Sequence, residues 1–200
     1  MGPVHSHGRL WRTGPVVVKA AARRFSLKDW LDLGLEALAE AGPAGVTIEA
    51  LCRRGGKTKG SFYAHFVTSE AYLTALAEHW RESYTRQLVE AADTGEQPDA
   101  RLSLLDQMAL RLDSRVEQGM RRLGANDTAV MRVCTEVDRE RIAYLAGLHR
   151  ASGRFDDKNA LALARLEYAA FIGFQQIDTG AGSAGAAESY QLLLKLTGRT

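Results

Sequence analysis

Cysteine is scarce in this 200-residue chain: Cys52 and Cys134 stand alone and far apart. No CxxC and no Cys/His cluster has metal-ligand spacing, so neither a zinc site nor any other metal is expected. Two buried thiols are expected rather than a disulfide, in a reduced, cytoplasmic setting. No apolar stretch approaches the roughly 20 residues of a membrane span, so no membrane partner is expected. Val16, Val17 and Val18 form too short an apolar run for a signal peptide. No glycine-rich phosphate loop, no Ser/His/Asp set and no distinctive carboxylate pair is present, so no enzyme, no catalytic residue and no cofactor is expected. Solenoid repeats and strand-like alternation are missing as well. Glu136, Asp138, Glu140 and their arginine neighbours read as a solvated helix face.

Net charge is only +2, but it is unevenly distributed. Residues 1–70 carry ten Lys/Arg against six Asp/Glu, and residues 71–200 carry sixteen against eighteen. A phosphate-binding region therefore belongs in the first part. Residues 1–25 read as a tail in which His5 and His7 are incidental.

The rest is helical in pattern. Ser26 and Asp29 form a capping-box signal for a helix over 27–41, with Leu31, Leu35 and Leu38 as its buried stripe and Gly42-Pro43 as its stop. Thr47 caps a short helix over 48–54, Gly55-Gly56 breaks it, and Thr58 opens a third helix reaching about His65. Thr68 caps a long helix over 69–92. A loop at 93–99, with Gly95 and Pro98, is the expected hinge. Further helices are expected over 100–122, 128–151, from Asp156 or Asp157 to 178, and 187–196, the last two joined by a glycine-rich loop at 180–185.

The informative stretch is 47–66. Two short helices meet at a glycine-containing turn behind a longer one, the layout of a helix-turn-helix. Glycine accepts positive φ there without steric cost. Arg53, Arg54, Lys57 and Lys59 fall within seven residues with no acid among them. Lys59-Gly60-Ser61-Phe62-Tyr63-Ala64-His65-Phe66 closely resembles the recognition-helix signature of the TetR family of transcription regulators, and Thr47 to Gly56 is similar to that family's preceding helix and turn. The resemblance covers about residues 27–80; beyond that only length and helical layout agree.

The resemblance implies an all-α fold: an N-terminal three-helix DNA-binding domain (26–70) and a C-terminal helical ligand-binding and dimerisation domain (71–200). It implies that Thr47 touches a phosphate, that Thr58, Lys59 and Ser61 face the groove, that Tyr63 and His65 meet the backbone or a base edge, and that Phe62 and Phe66 pack inward. Departures are Gly55, where an alanine is usual, Lys57, where an apolar residue is usual, and Ser69, where a lysine is usual. Lys57 is then expected to point outward as a phosphate contact. Arg23 and Arg24 read as a solvated tail, with an N-terminal arm on DNA as the alternative.

The partners implied are a double-stranded DNA operator, a small-molecule effector and a second copy of the chain. Met108, Leu112, Met131, Cys134, Tyr144, Tyr168 and Phe171 are candidates to line the effector's pocket, with His149 and Gln175 as further polar candidates. The last two helices are the expected homodimer interface: 161–177 is apolar on most sides, Gly173 permits close approach, and Tyr190, Leu192, Leu193, Leu194 and Leu196 add an apolar cluster. The expected function is repression relieved by the effector. The alternative is a helical ligand-binding or interaction protein that has lost specific DNA binding.

Overall fold

A computed structural model describes residues 25–177 and 184–198. The N-terminal tail, including Arg23 and Arg24, and most of the expected loop at 180–185 lie outside the described residues.

Helix α1 (Leu27–Ala41) starts as its cap residues dictate: Ser26 Oγ accepts from Asp29 N at 3.2 Å while Ser26 N donates back to the Asp29 carboxylate at 2.7 Å. It ends at Gly42, whose φ of 61° admits only glycine without strain. A 3-10 turn (Gly42–Val46) leads to α2 (Ile48–Gly55), capped by Thr47. Gly56, left-handed at φ 60°, reverses the chain into α3 (Lys59–Tyr63), capped by Thr58. Thr68 caps α4 (Ser69–Arg81).

The expected long helix over 69–92 is present but not uniform. A π-helical turn (Glu82–Arg86) interrupts it before α5 (Gln87–Ala92). The expected hinge after α5 is a closed turn: Arg101 Nε donates to Gly95 O at 2.8 Å, its guanidinium lies 3.2 Å from Asp93, and Tyr144 donates to Asp93 at 2.9 Å.

The single helix expected over 100–122 is instead two, α6 (Pro98–Ala109) and α7 (Ser114–Gly124). Asp113 breaks the run: it adopts an extended conformation and its carboxylate accepts from Arg115 N at 3.0 Å, capping α7. The turn sends α7 back against α1. At Gly119 a Cβ would lie 2.6 Å from Leu38 Cγ, so the contact requires glycine. Helices α8 (Thr128–Ala151), α9 (Asp157–Ile177) and α10 (Ala184–Leu196) complete the chain.

One buried cluster joins Trp30, Leu38 and Leu51 to Leu76 and Trp80 on α4, Met120 on α7 and Val133 on α8. The apolar core is therefore continuous across residue 70, with α4 and α7 both packed on α1. Each such side chain contributes about 1.5–3 kcal/mol by leaving water. A second cluster, with Leu102, Leu145, Ala164 and Tyr168, ties α6, α8 and α9 together.

Candidate nucleic-acid interface and interior cavity

Helix α3 has two unlike sides. Phe62 is 0% exposed and sits at the centre of an aromatic cluster, its ring centroid 5.3 Å from Trp30, 5.1 Å from Tyr72 and 5.2 Å from Phe66. The near-perpendicular pair with Trp30 adds to simple burial. Tyr72 donates to Trp30 O at 3.2 Å across the interface with α1. At Gly34 a Cβ would fall 2.1 Å from the Tyr72 hydroxyl, so α1 and α4 meet there only because the residue is glycine.

The opposite side is open. Tyr63 is 50% exposed, Thr47, Thr58 and Lys59 are exposed, and Ser61 is half-buried. A Cβ added to Gly60 would meet only Thr58 Oγ1, at 3.7 Å, so nothing within the chain requires glycine there. Thr47 and Thr58 use their hydroxyls as caps, accepting from Ala50 N at 3.3 Å and Ser61 N at 3.2 Å.

The basic cluster is partly neutralised. Arg54 forks onto Glu40 at 2.5 and 2.8 Å and reaches Glu36 at 3.5 Å. Lys59 is bonded to Glu49, which holds the carboxylate below its ordinary pKa and raises that of the ammonium. Arg53, among the described residues, has no carboxylate partner. Lys57 does not project freely as expected. It is half-buried with its ammonium 5.1 Å from the Phe25 ring centroid, a cation–π contact that gives an unusual lysine a seat. His65 Nε2 lies 3.0 Å from Phe25 O, so that nitrogen fastens the segment before α1 to the turn after α3.

The departures are explained locally. At Gly55 a Cβ would stand 3.1 Å from Leu33 Cδ2, so alanine would crowd α1. Ser69 bonds Glu70 at 2.9 Å and carries no positive charge for a phosphate.

A cavity of about 70 Å³ available to the centres of water molecules lies in the C-terminal half. By volume it accommodates on the order of five waters, or a small organic molecule in their place. Its wall combines Tyr84, Thr85 and Leu88 from the π turn and α5, Leu105 and Asp106 from α6, and Tyr190 from α10. Four of the residues named from sequence are in that wall: Leu112, Tyr144, Tyr168 and Phe171, joined by Gln175. Three are not. Cys134 is buried in the first cluster, its Sγ 4.0 Å from Met120 O, and burial pushes its thiol pKa up to about 11. Met131 is 45% exposed at the far end of α8, roughly 20 Å along the helix from Tyr144. Met108 lies beside the stripe of Leu105, Asp106 and Ala109 that faces the cavity. His149 is also elsewhere, fully buried with Nε2 2.9 Å from Glu167.

Glu117 and Arg141 line the cavity too, and no sequence signal singled them out. Arg141 donates to Thr85 Oγ1 at 3.0 Å, Tyr84 O at 3.1 Å, Glu117 at 3.0 Å and the Tyr168 hydroxyl at 3.3 Å. It thus serves a carbonyl in the π turn, where the i-to-i+4 ladder is broken. Arg121 bonds the other Glu117 oxygen at 2.8 Å and Asp138 at 2.7 Å. Burial opposes the Arg121 charge, but the bond to Asp138 and the nearby Glu117 outweigh it and raise its pKa. The charged face of α8 is therefore not simply solvated: Glu136 and Glu140 bind Arg81 of α4, and Asp138 binds Arg121 of α7.

No family model and no curated protein matches the chain. Solved structures do match. NemR of Escherichia coli in its reduced form superposes with a TM-score of 0.70 at 19% identity, over 86% of this chain and 96% of that one. A TetR/AcrR family member gives 0.66 at 22% identity, over 84% and 97%. FadR of Bacillus subtilis, solved with stearoyl-CoA, gives 0.53 at 15% identity, over 84% and 97%. The chain has the all-α fold of the TetR/AcrR transcription regulators. Among the described residues no helix is long and apolar enough to cross a membrane, and no His/Cys/Asp/Glu group is arranged to hold a metal.

Proposed function

We propose that this chain is a DNA-binding transcription regulator of the cytoplasm, acting as a homodimer whose two α3 helices enter the major groove of a near-palindromic site. The observation that carries this reading is the two-sidedness of α3: Phe62 locks it to α1 and α4 while Thr58, Lys59, Gly60 and Tyr63 are left open. A groove about 12 Å wide admits one helix presented this way. Thr47 and the exposed ends of α2 and α3 add phosphate contacts. The regulators that share the fold support the reading.

The second copy pairs through α9 and α10. These helices expose Leu166 at 65% and Leu196 at 77%, together with Leu161 and Leu192. Gly173 has nothing within 4 Å of where a Cβ would lie, which leaves room for a partner's helix to approach.

A small molecule in the cavity releases the DNA, and FadR, solved with its acyl-CoA, offers a precedent for a ligand-bearing relative in fold. Arg141 faces the cavity while holding the π turn. A ligand that draws Glu117 or Tyr168 away changes what Arg141 can hold. Relaxing a π turn to α-helix rotates α4 against α5 by about 100° per residue of register and shifts it about 1.5 Å. Because α4 carries Tyr72, the motion reaches α3. The ligand must bind the released form more tightly than the DNA-bound one. Bound at a promoter, such a dimer blocks polymerase, so repression is the expected outcome.

The test is selection of the purified chain against random duplex DNA, beside a Lys59→Ala/Tyr63→Ala variant. Enrichment of a palindrome that the variant loses supports the reading. A second reading, a helical ligand-binding protein that no longer selects its DNA, draws on the pairing of Arg54 and Lys59 with glutamates; it expects no enriched sequence from a folded dimer.

A further inference from the structure

The charge and hydrogen-bonding character of the cavity wall restrict what fits inside. The wall carries the carboxylates of Asp106, Asp113 and Glu117 and one guanidinium, Arg141; from outside the lining, Arg115 pairs with Asp113 at 2.7 Å and Arg121 with Glu117 at 2.8 Å. The Arg141 guanidinium is committed: its N–H groups serve Thr85, Tyr84, Glu117 and Tyr168. An incoming anion would find the one guanidinium of the lining already occupied and carboxylates beside it.

A cation meets the reverse. The aromatic residues Tyr84, Tyr144, Phe171 and Tyr190 line the space, with the Phe171 and Tyr190 rings 6.0 Å apart. Faces of such rings attract an ammonium or guanidinium group. Gln175 supplies the independent observation: its Oε1 is buried beside the cavity without a hydrogen-bond donor. A buried acceptor left unpaired is costly, and a ligand N–H is a means of satisfying it. The apolar part of the wall, with Leu88, Leu105 and Leu145, matches a compact hydrocarbon or aromatic body.

We infer that the cavity binds a small organic cation: a protonated amine or amidine with N–H groups on an apolar, preferably aromatic, body. This assignment rests on the effector-site reading above and specifies its ligand class. Glu117 then has a further role. A ligand cation close to it competes with Arg141 for the same carboxylate, which links the occupant's charge to the π turn.

The test uses three probes of nearly equal shape on the full chain: 1-naphthylmethylamine, 1-naphthalenemethanol and 1-naphthoate, titrated by calorimetry at neutral pH. The amine is expected to bind about tenfold more tightly than the alcohol, and the carboxylate not at all up to roughly 1 mM. An Ala109→Trp variant, which fills the cavity from α6, is expected to abolish amine binding with its helical content and melting curve retained. Naphthoate binding as tightly as the amine, failure of all three probes to bind the parental chain, or amine binding that persists in a folded Ala109→Trp chain would overturn the assignment. DNA release is scored separately on the selected duplex. Amine binding without release upholds the ligand class and removes the effector reading, whereas release by naphthoate does the opposite.

Discussion

Replacing Gly60 by alanine separates the stability of α3 from its use. Gly60 lies one residue inside the helix start, its φ is not positive, and an added Cβ would make only one ordinary contact, with Thr58 Oγ1 at 3.7 Å. Glycine in a helix costs about 0.5–1 kcal/mol relative to alanine. Because α3 is only five residues long, the lower figure applies, so Gly60→Ala should stabilise the chain by about 0.5 kcal/mol and raise its Tm by about 1–2 °C. On DNA the sign reverses. If the α3 backbone approaches the groove at Gly60, the methyl displaces it, and a tenfold loss of affinity corresponds to about 1.4 kcal/mol. Urea denaturation reads the first quantity, and fluorescence anisotropy on a selected duplex reads the second. A stabilised variant that binds DNA with parental affinity would refute the placement of this face against DNA. Gly34→Ala is the control: its Cβ would fall 2.1 Å from the Tyr72 hydroxyl and 2.8 Å from Leu76, so it should cost about 1–3 kcal/mol of stability.

Phe62→Ala, at the centre of the aromatic cluster, is expected to cost about 3–5 kcal/mol in urea titrations; a loss under 1 kcal/mol would mean that α3 is not anchored there. Arg141→Met leaves Glu117 with Arg121 alone and the Tyr84 carbonyl without its donor, so about 3 kcal/mol of stability and the ligand's effect on DNA binding should both go. Leu166→Glu combined with Leu192→Glu should leave a monomer in sedimentation equilibrium and weaken DNA binding; an unaltered dimer would place the interface elsewhere. The bond from Arg81 holds Glu140 below its ordinary pKa of 4.5. The stability it contributes is therefore complete above about pH 4.5 and is lost as pH falls through the lower folded value. Denaturation at pH 6 and pH 3 should show this loss, reduced in Arg81→Gln, and an equal loss in both chains would rule the pair out as its source.

What the sequence made legible was local. The caps at Ser26, Thr47, Thr58 and Thr68 each accept from the backbone N–H three residues on, so a short window of sequence contains the whole interaction. The leucine stripe of α1 follows from periodicity, whereas the inward Phe62 and Phe66 follow from the resemblance of 59–66 to the TetR recognition helix. The break between α6 and α7 was hidden because apolar spacing continues across it and only the Asp113 cap interrupts it. The π turn has no sequence signature; it is held by Arg141, more than fifty residues away.

The same distance explains the cavity. Tyr144, Tyr168 and Phe171 were legible as aromatic material concentrated on two helices. Glu117 and Arg141 look like surface charges until α7 and α8 bring them together. Met131 and Cys134 are apolar residues on the same helix as Tyr144 but lie away from the cavity. That helix is roughly 36 Å long, and its two ends serve different clusters. The contacts of Lys57 and His65 with Phe25 have no sequence signal, because Phe25 precedes α1 and meets them only in the fold.

The most direct measurement is the affinity of the full chain for the selected palindromic duplex and for a scrambled duplex of the same length and composition, at one fixed salt concentration. A preference of about 10³-fold or more, abolished in Lys59→Ala/Tyr63→Ala, is the expected result. Equal affinities for the two duplexes, from a chain that remains a folded dimer, would contradict the claim that α3 reads DNA sequence.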